Sequence, residues 1–550
     1  MSESAPAAEP VVPAEPDVTV VVAVYNTMPY LTECLNSLVE QSIGLDRLEV
    51  VAVDDGSTDD SPKELARFAA AYPGVFRVIT QENSGGPAAP SNRALDVATG
   101  RYVFFLGSDD HLGPEALERM VAAADEHGTD VVVAKMVGVN GRWVPQAVFE
   151  RTRHDATLRN SPLPWALSNT KLFRRALIEK HHLRYPEDLP ILSDQPFTLE
   201  ACFRAEGISI LDDYDYYFAV RRGDEGNVTY RGSLEHRLIG TERIMRLTER
   251  FTETEDERYG LNRRHLTSEM SFVLGHRLLA AEPEVRERIM AGARPLLTDF
   301  ATDALLGRLP LTDRVHLTLA RSGAFDMLLS TLRFEAEHGG AEQVDEKKLP
   351  LTVVEGRAHL GYPFVGDPRF ADLTALVDRT RAAVRGLGKA GASFVTDAAG
   401  PALLLTSETP VPGYGGLVRS ASLGCERKPA GGVPTGLDCA VGYAPADGGT
   451  RLSTRVPLAP LLAAASAAGR TAWSLRWRLD TADGELPVPV ATAPGTTGGP
   501  ASVRLRRGLH VFRASATVES DGALTFVLTP IRLRRVIAQR LRRLRATGRK

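Results

Sequence analysis

The chain has 550 residues, which at roughly 150 residues per domain calls for about three or four domains. Hydrophobic residues make up 43% and charged residues 24%, a globular composition that excludes fibrous, collagen-like and wholly disordered chains. Lys plus Arg number 65 against 69 Asp plus Glu, and a net charge of −4 gives no overall reason to expect a nucleic-acid partner. Cys34, Cys202, Cys425 and Cys439 are widely spaced and form no CxxC pair, so neither a zinc site nor a disulfide framework is indicated, and a reducing cytoplasm fits.

Residues 1–17 are rich in Ala, Pro and Glu and lack the basic-then-apolar pattern of a signal peptide; they read as a disordered tail. From Val18 to about residue 233, short Val-rich runs alternate with helical patterns, the mark of an α/β domain with a parallel sheet. VTVVVAVYN is the first strand, followed by a helix whose Leu31, Cys34, Leu35 and Leu38 share a face. LEVVAVDD is the second, and Ser61, Pro62 and Glu64 after it predict a capping box. A Gly- and Pro-rich loop, NSGGPAAPSNRAL, leads to a third core strand, YVFFLG, that runs into SDD.

Residues 234–348 change to helical spacing and predict a helical linker. Residues 349–530 are rich in Gly, Pro, Thr and alternating strands, which predicts two small β-sandwich modules, 349–443 and 444–530. Sandwiches without chemical motifs suggest self-association into a homo-oligomer, with carbohydrate binding as the competing role. Residues 531–550 hold eight arginines, one lysine and no acid, with Leu533, Val536, Ile537, Leu541 and Leu544 on one face. They predict a basic amphipathic helix for an anionic membrane surface, a solvated tail being the alternative. No run reaches the ~18 apolar residues of a membrane span.

Ligands of open α/β sheets bind beyond the carboxyl ends of the strands, where this sequence places Asp54, Asp55, Asp109 and Asp110. Asp54 and Asp55 read as functional rather than capping residues, because Ser61 is available as the cap. Asp109 and Asp110 suit a hard divalent cation that would bind diphosphate oxygens. The order AVYN, VDDGSTDDS, ENSGGPAAPSNRAL, GRYVFFLGSDD, KLFRRALI, PEDLPILSDQPF resembles the family 2 inverting glycosyltransferases of the GT-A nucleotide-sugar fold, over roughly Val18 to Tyr230. Within that family the layout is most similar to the bacterial wall teichoic acid enzymes acting on poly(ribitol phosphate), with their helical linker and tandem immunoglobulin-like modules.

The resemblance implies that Val24, Tyr25 and Asn26, with Asp54 and Asp55, cradle the uridine of a UDP-sugar, one carboxylate accepting the uracil N–H. It places Asn83 and Asn92 in the nucleotide-contacting loop, Arg93 as a substitute for the family's loop arginine, and Ser108 and Asp109 in the metal motif, where Gly107 stands in place of the usual first Asp. Asp109 would ligate Mg²⁺ or Mn²⁺, and Asp194, in Ser193-Asp194-Gln195 where the family has Glu-Asp, would be the general base. For Asp194 the alternative is a helix N-cap. Arg221 and Arg222 would face the departing diphosphate or else lie at a solvated strand end. Glu187 and Asp188 read as a solvated turn, and Trp143 and Trp165 as core aromatics. The implied protein is a cytoplasmic enzyme, peripheral on the inner membrane face, that inverts configuration as it glycosylates a hydroxyl of a cell-envelope polymer or glycan. A degenerate, non-catalytic scaffold is the rival; a nucleotidyltransferase is disfavoured by the lack of a Gly-rich, lysine-containing triphosphate loop.

Overall fold

Strand β1 (Val18–Val24) is buried along its length except at Ala23, and its side chains divide between two cores. Val18, Val20, Val22 and Val24 enter one with Val50, Ala52, Tyr102 and Phe104, whereas Val21 enters the other with Val51, Val53, Val103 and Phe105. This period-two division is what makes a strand covered on both faces apolar throughout. β2 (Leu48–Asp54), β3 (Phe76–Thr80) and β4 (Tyr102–Phe105) run parallel to it in the order β3-β2-β1-β4. These elements come from a computed structural model, which describes residues 15–223, 232–340, 344–346, 348–354, 357–370, 373, 390–409, 418–428, 439–446, 449–466, 469–481, 484–490, 502–518 and 524–531.

Beyond β4 the sheet is mixed, which corrects the purely parallel expectation. With β6 (Val131–Ala134), β8 (Leu172–Arg174) and β9 (Ile208–Leu211) the order continues β4-β8-β6-β9, and β8 is antiparallel to both of its neighbours. The chain reaches β8 through an irregular segment with two 3₁₀ turns rather than through a helical crossover, so nothing forces parallel pairing. A small second sheet joins β5 (His111–Leu112), β10 (Tyr217–Val220) and β7 (Met136–Val139).

Helices α1 (Tyr30–Val39), α2 (Ser61–Ala71) and α4 (Ala116–His127) cover the first core with Leu31, Cys34, Leu35, Leu38, Leu65, Phe68, Leu117 and Met120. α3 (Ala88–Leu95), α5 (Arg175–Lys180) and α6 (Asp194–Arg204) cover the second. Ile244 of α7 (Leu234–Arg250) and Leu261 of α8 (Glu255–Arg264) join that same core, so the helical linker is built into the sheet's flank. α6 is locked by its aromatic: Phe197 stacks on Tyr185 at 4.4 Å and meets Phe105 and Phe173 edge-on at 5.5 and 5.3 Å.

The capping box does not form. Ser61 is the first helical residue, its hydroxyl accepts the Thr27 N–H at 3.1 Å, and Glu64 pairs with Thr32 and Arg67. A tertiary contact has taken the local cap's partners. The tail is also shorter than expected, since Glu15 pairs with Arg175 and Asp17 with Arg47 and Arg101. Trp143 is 76% exposed and Trp165 38%, so neither is a core aromatic.

The chain divides into two compact units, Met1–Leu332 and Arg333–Lys550, so the boundary falls before the expected residue 348. In the second unit β11 (Leu351–Val354) pairs antiparallel with β12 (Arg357–Leu360), and β13 (Ala390–Asp397), β14 (Gly400–Thr409), β17 (Gly449–Pro457) and β16 (Cys439–Ala446) form one antiparallel ladder. β15 (Val418–Lys428), β18 (Thr471–Thr481), β22 (Leu524–Ile531), β21 (His510–Val518) and β20 (Ser502–Arg507) form another, with β19 (Gly484–Pro489) also pairing on β18. Among the described residues, Ser422↔Ala440 and Leu423↔Cys439 are the strand pairs that connect them. The division near Ala444 therefore falls inside a strand, and β15 pairs along its length with β18 from the other side of that division. The unit is antiparallel and sheet-rich, but its ladders do not follow two consecutive sequence modules. Residues 532–550, the basic segment, lie outside the described residues. No helix among the described residues is long and apolar enough to cross a membrane.

Replacing Phe197 by Ala removes the ring that joins Phe105, Phe173 and Tyr185 and should cost about 3–5 kcal/mol of unfolding free energy in urea. Trp143→Ala should stay within about 0.5 kcal/mol of the parent. A mild Phe197→Ala would mean that α6 is not held by this cluster.

Candidate active site

The carboxyl ends of β1 and β2 are tied together by short polar side chains. Asn26, at φ +49°, accepts the N–H groups of Thr58 and Asp59 on Oδ1 at 2.7 and 3.2 Å and donates its own N–H to Ser57 Oγ at 3.0 Å. Asn tolerates this left-handed conformation better than a branched residue would. Asp54 accepts from Ser57 N at 3.1 Å, and Asp55 from Gln81 Nε2 at 2.7 Å and Ser84 Oγ at 2.9 Å; both carboxylates are buried. Gly56, at φ +75°, closes against Asn83, where a Cβ would come within 2.8 Å of the Asn83 N. Tyr25, 42% exposed, presents its ring at this edge.

The other predicted nucleotide residues separate into two groups. Ser108 Oγ lies 2.9 Å from Thr27 Oγ1, and buried Arg222 donates from Nη2 to Asn26 O at 3.0 Å, so both belong to this edge. Asn83 is exposed and accepts from Gly85 N. Asn92 is turned inward: it donates to Tyr185 O at 2.9 Å and Glu187 Oε1 at 2.8 Å, and accepts from Tyr185 N at 2.9 Å. Arg93 is exposed on α3, and Arg221 is exposed at the end of β10. Glu187 and Asp188 lie exposed in a turn, as expected, and each has a partner there: Glu187 Oε1 accepts from Asn92 and Asp188 Oδ2 meets Arg243 Nη2 at 2.7 Å.

At the end of β4, Asp110 accepts from Tyr217 Oη at 2.5 Å and Val220 N at 2.7 Å. Burial, with the adjacent Asp109 charge second, pushes its carboxyl up to about 7, against the pull of those hydrogen bonds. No group of three or more His, Cys, Asp or Glu among the described residues forms a complete cation site. The set fits a cation that takes one or two carboxylates from the protein and the rest of its ligands from diphosphate and water, and it carries an excess of negative charge for such an ion to offset. Gly107 supplies no carboxylate here, and a Cβ at this position would sit 2.7 Å from Asp110 Oδ2 and 3.1 Å from Tyr217 Oη, so a side chain would require those groups to shift.

Asp194 is the first residue of α6, with Ser193 as N-cap. Desolvation pushes its carboxyl up to about 6, opposed by the Lys171 and Arg264 cations and reinforced by Glu269. Lys171 is 1% exposed, donates to Ser168 O at 2.5 Å, and is itself pushed down to about 8 by burial. A carboxylate in this range is ionised at neutral pH yet more basic than an ordinary aspartate.

Residues 19–184 match the family described as "Glycosyl transferase family 2", and residues 240–331 the "Glycosyl transferase TarS linker domain". Residues 19–184 are a family 2 glycosyltransferase domain. The chain is 38% identical over 214 residues to poly(ribitol-phosphate) β-glucosyltransferase of Bacillus spizizenii, covering 39% of this chain and 34% of that protein. It is 42% identical over 208 residues to poly(ribitol-phosphate) β-N-acetylglucosaminyltransferase TarS of Staphylococcus aureus, covering 38% of this chain and 36% of that one. The matched stretch thus spans about a third of these curated relatives. Residues 1–349 of S. aureus TarS, solved with UDP-GlcNAc, superpose with a TM-score of 0.52 at 29% identity, covering 63% of this chain and 97% of that one. A structure of S. aureus TarS covering 94% of this chain and 86% of that one gives a TM-score of 0.54 at 22% identity, a likeness of fold alone.

Around Asp194 and Asp110, the residues that local reading missed are Lys171, Tyr217 and, from the linker, Arg264 and Glu269. Their partners lie far off in sequence, 107 positions in the case of Tyr217 and Asp110. Aromatic runs and scattered arginines carry no spacing signal for such contacts.

The raised Asp110 group makes a stability prediction. Between the unfolded carboxylate value of ~4 and the folded value of about 7, the folded state holds the extra proton, so stability falls as pH rises through that window. Asp109→Asn removes the neighbouring charge and should make the protein more stable than the parent at pH 8 without divalent cations, the difference fading near pH 4. A variant no more stable at pH 8 would show that the two carboxylates do not repel.

Proposed function

We propose that the chain transfers a sugar from a UDP-sugar to a hydroxyl of a cell-envelope polymer, teichoic-acid-like or polysaccharide, by single displacement with inversion, and that Asp194 is the general base. The observation that carries this reading is the Asp194 carboxyl at the mouth of α6, kept basic by burial and kept ionisable by Lys171 and Arg264. The relatives named as poly(ribitol-phosphate) glycosyltransferases and the UDP-GlcNAc complex of TarS support the donor and acceptor classes.

Uridine would lie over the joined ends of β1 and β2, its ring against exposed Tyr25 and its imide N–H toward Asp54 or Asp55. Arg222 would face the diphosphate from beside Asn26. Asp109 would hold Mg²⁺ or Mn²⁺, which when bound supplies counter-charge to the leaving UDP. Asp194 would accept the proton of the attacking hydroxyl as its oxygen approaches the anomeric carbon. We further assign the segment Ile531–Lys550 to an anionic membrane surface on the cytoplasmic side and the strand-rich unit to homo-oligomer formation; comparing vesicle sedimentation and light-scattering mass for chains with and without those residues tests both.

The functional test is UDP release from a panel of UDP-sugars. Asp194→Asn should keep UDP binding in calorimetry and lose turnover by ~10² or more, while the parent's rate should fall as pH drops through about 6, where the base takes up its proton. A parent that binds UDP and releases none would be a degenerate scaffold. Chelation should suppress the rate, and a rate indifferent to chelator would remove the metal from the account.

A further inference from the structure

The residue after the base, Gln195, is buried and gripped by the linker. Its Oε1 accepts from Arg264 Nη1 at 2.8 Å, and its Nε2 donates to Glu269 Oε1 at 3.1 Å. Glu269 is shared between two cations: Arg264 Nη2 at 2.8 Å on one oxygen and Arg237 Nη1 at 2.5 Å on the other. Arg237, Arg264 and Glu269 are 8%, 7% and 3% exposed, so the two cations and one anion have no bulk water to replace any partner.

A departure from the α-helix brings the three together. Residues His265–Met270 form a π-helical turn directly after α8. In a π-turn, residues five apart come onto one face, so Glu269 stands over Arg264, where an α-helix would place Ser268. His265 Nε2 lies 2.9 Å from Thr248 Oγ1, pinning the turn to α7. π-Turns inside helices are uncommon and concentrate at functional sites.

α7 grips the approach to the base as well. Leu192 has φ +61°, a strained conformation for a bulky side chain, and packs against Gly240, where a Cβ would lie 3.1 Å from Leu192 Cδ1. The Gln195 N–H reaches back to Leu192 O at 3.3 Å. Arg243 holds Asp188 at the start of the same loop.

We propose that the linker is part of the catalytic apparatus: its Arg237–Glu269–Arg264 cluster, acting through Gln195, is the positioning element that sets the direction of the Asp194 carboxylate. The proposal rests on the reading of Asp194 as the base. Gln195 and the three linker residues are positioning residues, since none of them need touch substrate. The charged and titratable groups facing Asp194 are Lys171 beside β8, Tyr185 below α6, and Arg264 and Glu269 from the linker. The linker therefore offers the base one favouring and one opposing charge, and altering each alone should move its ionisation in opposite directions.

The test uses the full chain and UDP release from UDP-N-acetylglucosamine, with water as acceptor and kcat and KM followed against pH. Gln195→Ala leaves the ion cluster intact; it should reduce kcat ~10-fold with KM within about twofold, because orientation is lost and donor binding is not. Arg264→Gln should move the acid limb of kcat/KM to higher pH and Glu269→Gln to lower pH, each by about half a unit. A merely structural role would lower folded protein and rate at every pH without opposed shifts; melting curves and UDP calorimetry on each variant measure that part. Asp194→Asn in the same assay separates the two ideas. Normal turnover there removes the base reading itself. A dead Asp194→Asn beside a Gln195→Ala of parental kcat, or charge variants whose limbs do not move apart, would overturn the linker's role while leaving the base in place.

Discussion

Buried negative charge has to be matched, and the first unit is organised around that requirement. A carboxylate moved out of water costs several kcal/mol unless donors or cations replace its hydration. Asp54 and Asp55 meet it with hydrogen-bond donors from the turns that join the strand ends. Glu269 meets it with two arginines. Asp110 meets it in part, through Tyr217 and a backbone N–H, and is left raised. Asp194 faces cations yet stays raised by desolvation, the condition that suits a proton acceptor near neutral pH.

The scaffold sets where these groups stand. Parallel β1, β2 and β4 bring their carboxyl ends to one edge, so three separate sequence segments deliver polar groups together. The fourth, carrying Asp194, is not a strand end; it is placed by Phe197 packing on Phe105, the last residue of β4, so Asp194 and the Ser108–Asp110 turn share one aromatic anchor. The linker then grips α6 from its other side. Sheet, aromatic cluster and linker each fix a different coordinate of the same carboxylate.

Much of this edge is legible in the sequence because its signals are local. The alternation in VTVVVAV and the acids after LEVVAV and YVFFLG depend only on neighbours along the chain, and they place the strands and four of the carboxylate positions. Ser61 shows where local reading fails: its spacing to Glu64 suits a capping box, but Thr27 competes for the hydroxyl. Asn92 likewise carries the motif of a nucleotide contact and is spent on Tyr185. Lys171, Glu269 and Arg264 gave no signal because a buried ion cluster is defined by partners 69 to 74 positions away in the case of Gln195. β15 pairs with β18 across the expected module division for the same reason: strand periodicity shows that a strand exists and says nothing about the strand it pairs with.

Proton transfer to Asp194 depends on the donor's geometry relative to that carboxylate, and a crystal structure of the protein soaked with a UDP-sugar measures that directly. The expected complex has uracil at the joined ends of β1 and β2, the diphosphate beside Asp109 and Arg222, and the face of the anomeric carbon opposite the leaving oxygen open toward the Asp194 carboxylate. A donor bound with that face turned away from Asp194, or seated away from the strand ends altogether, would contradict it.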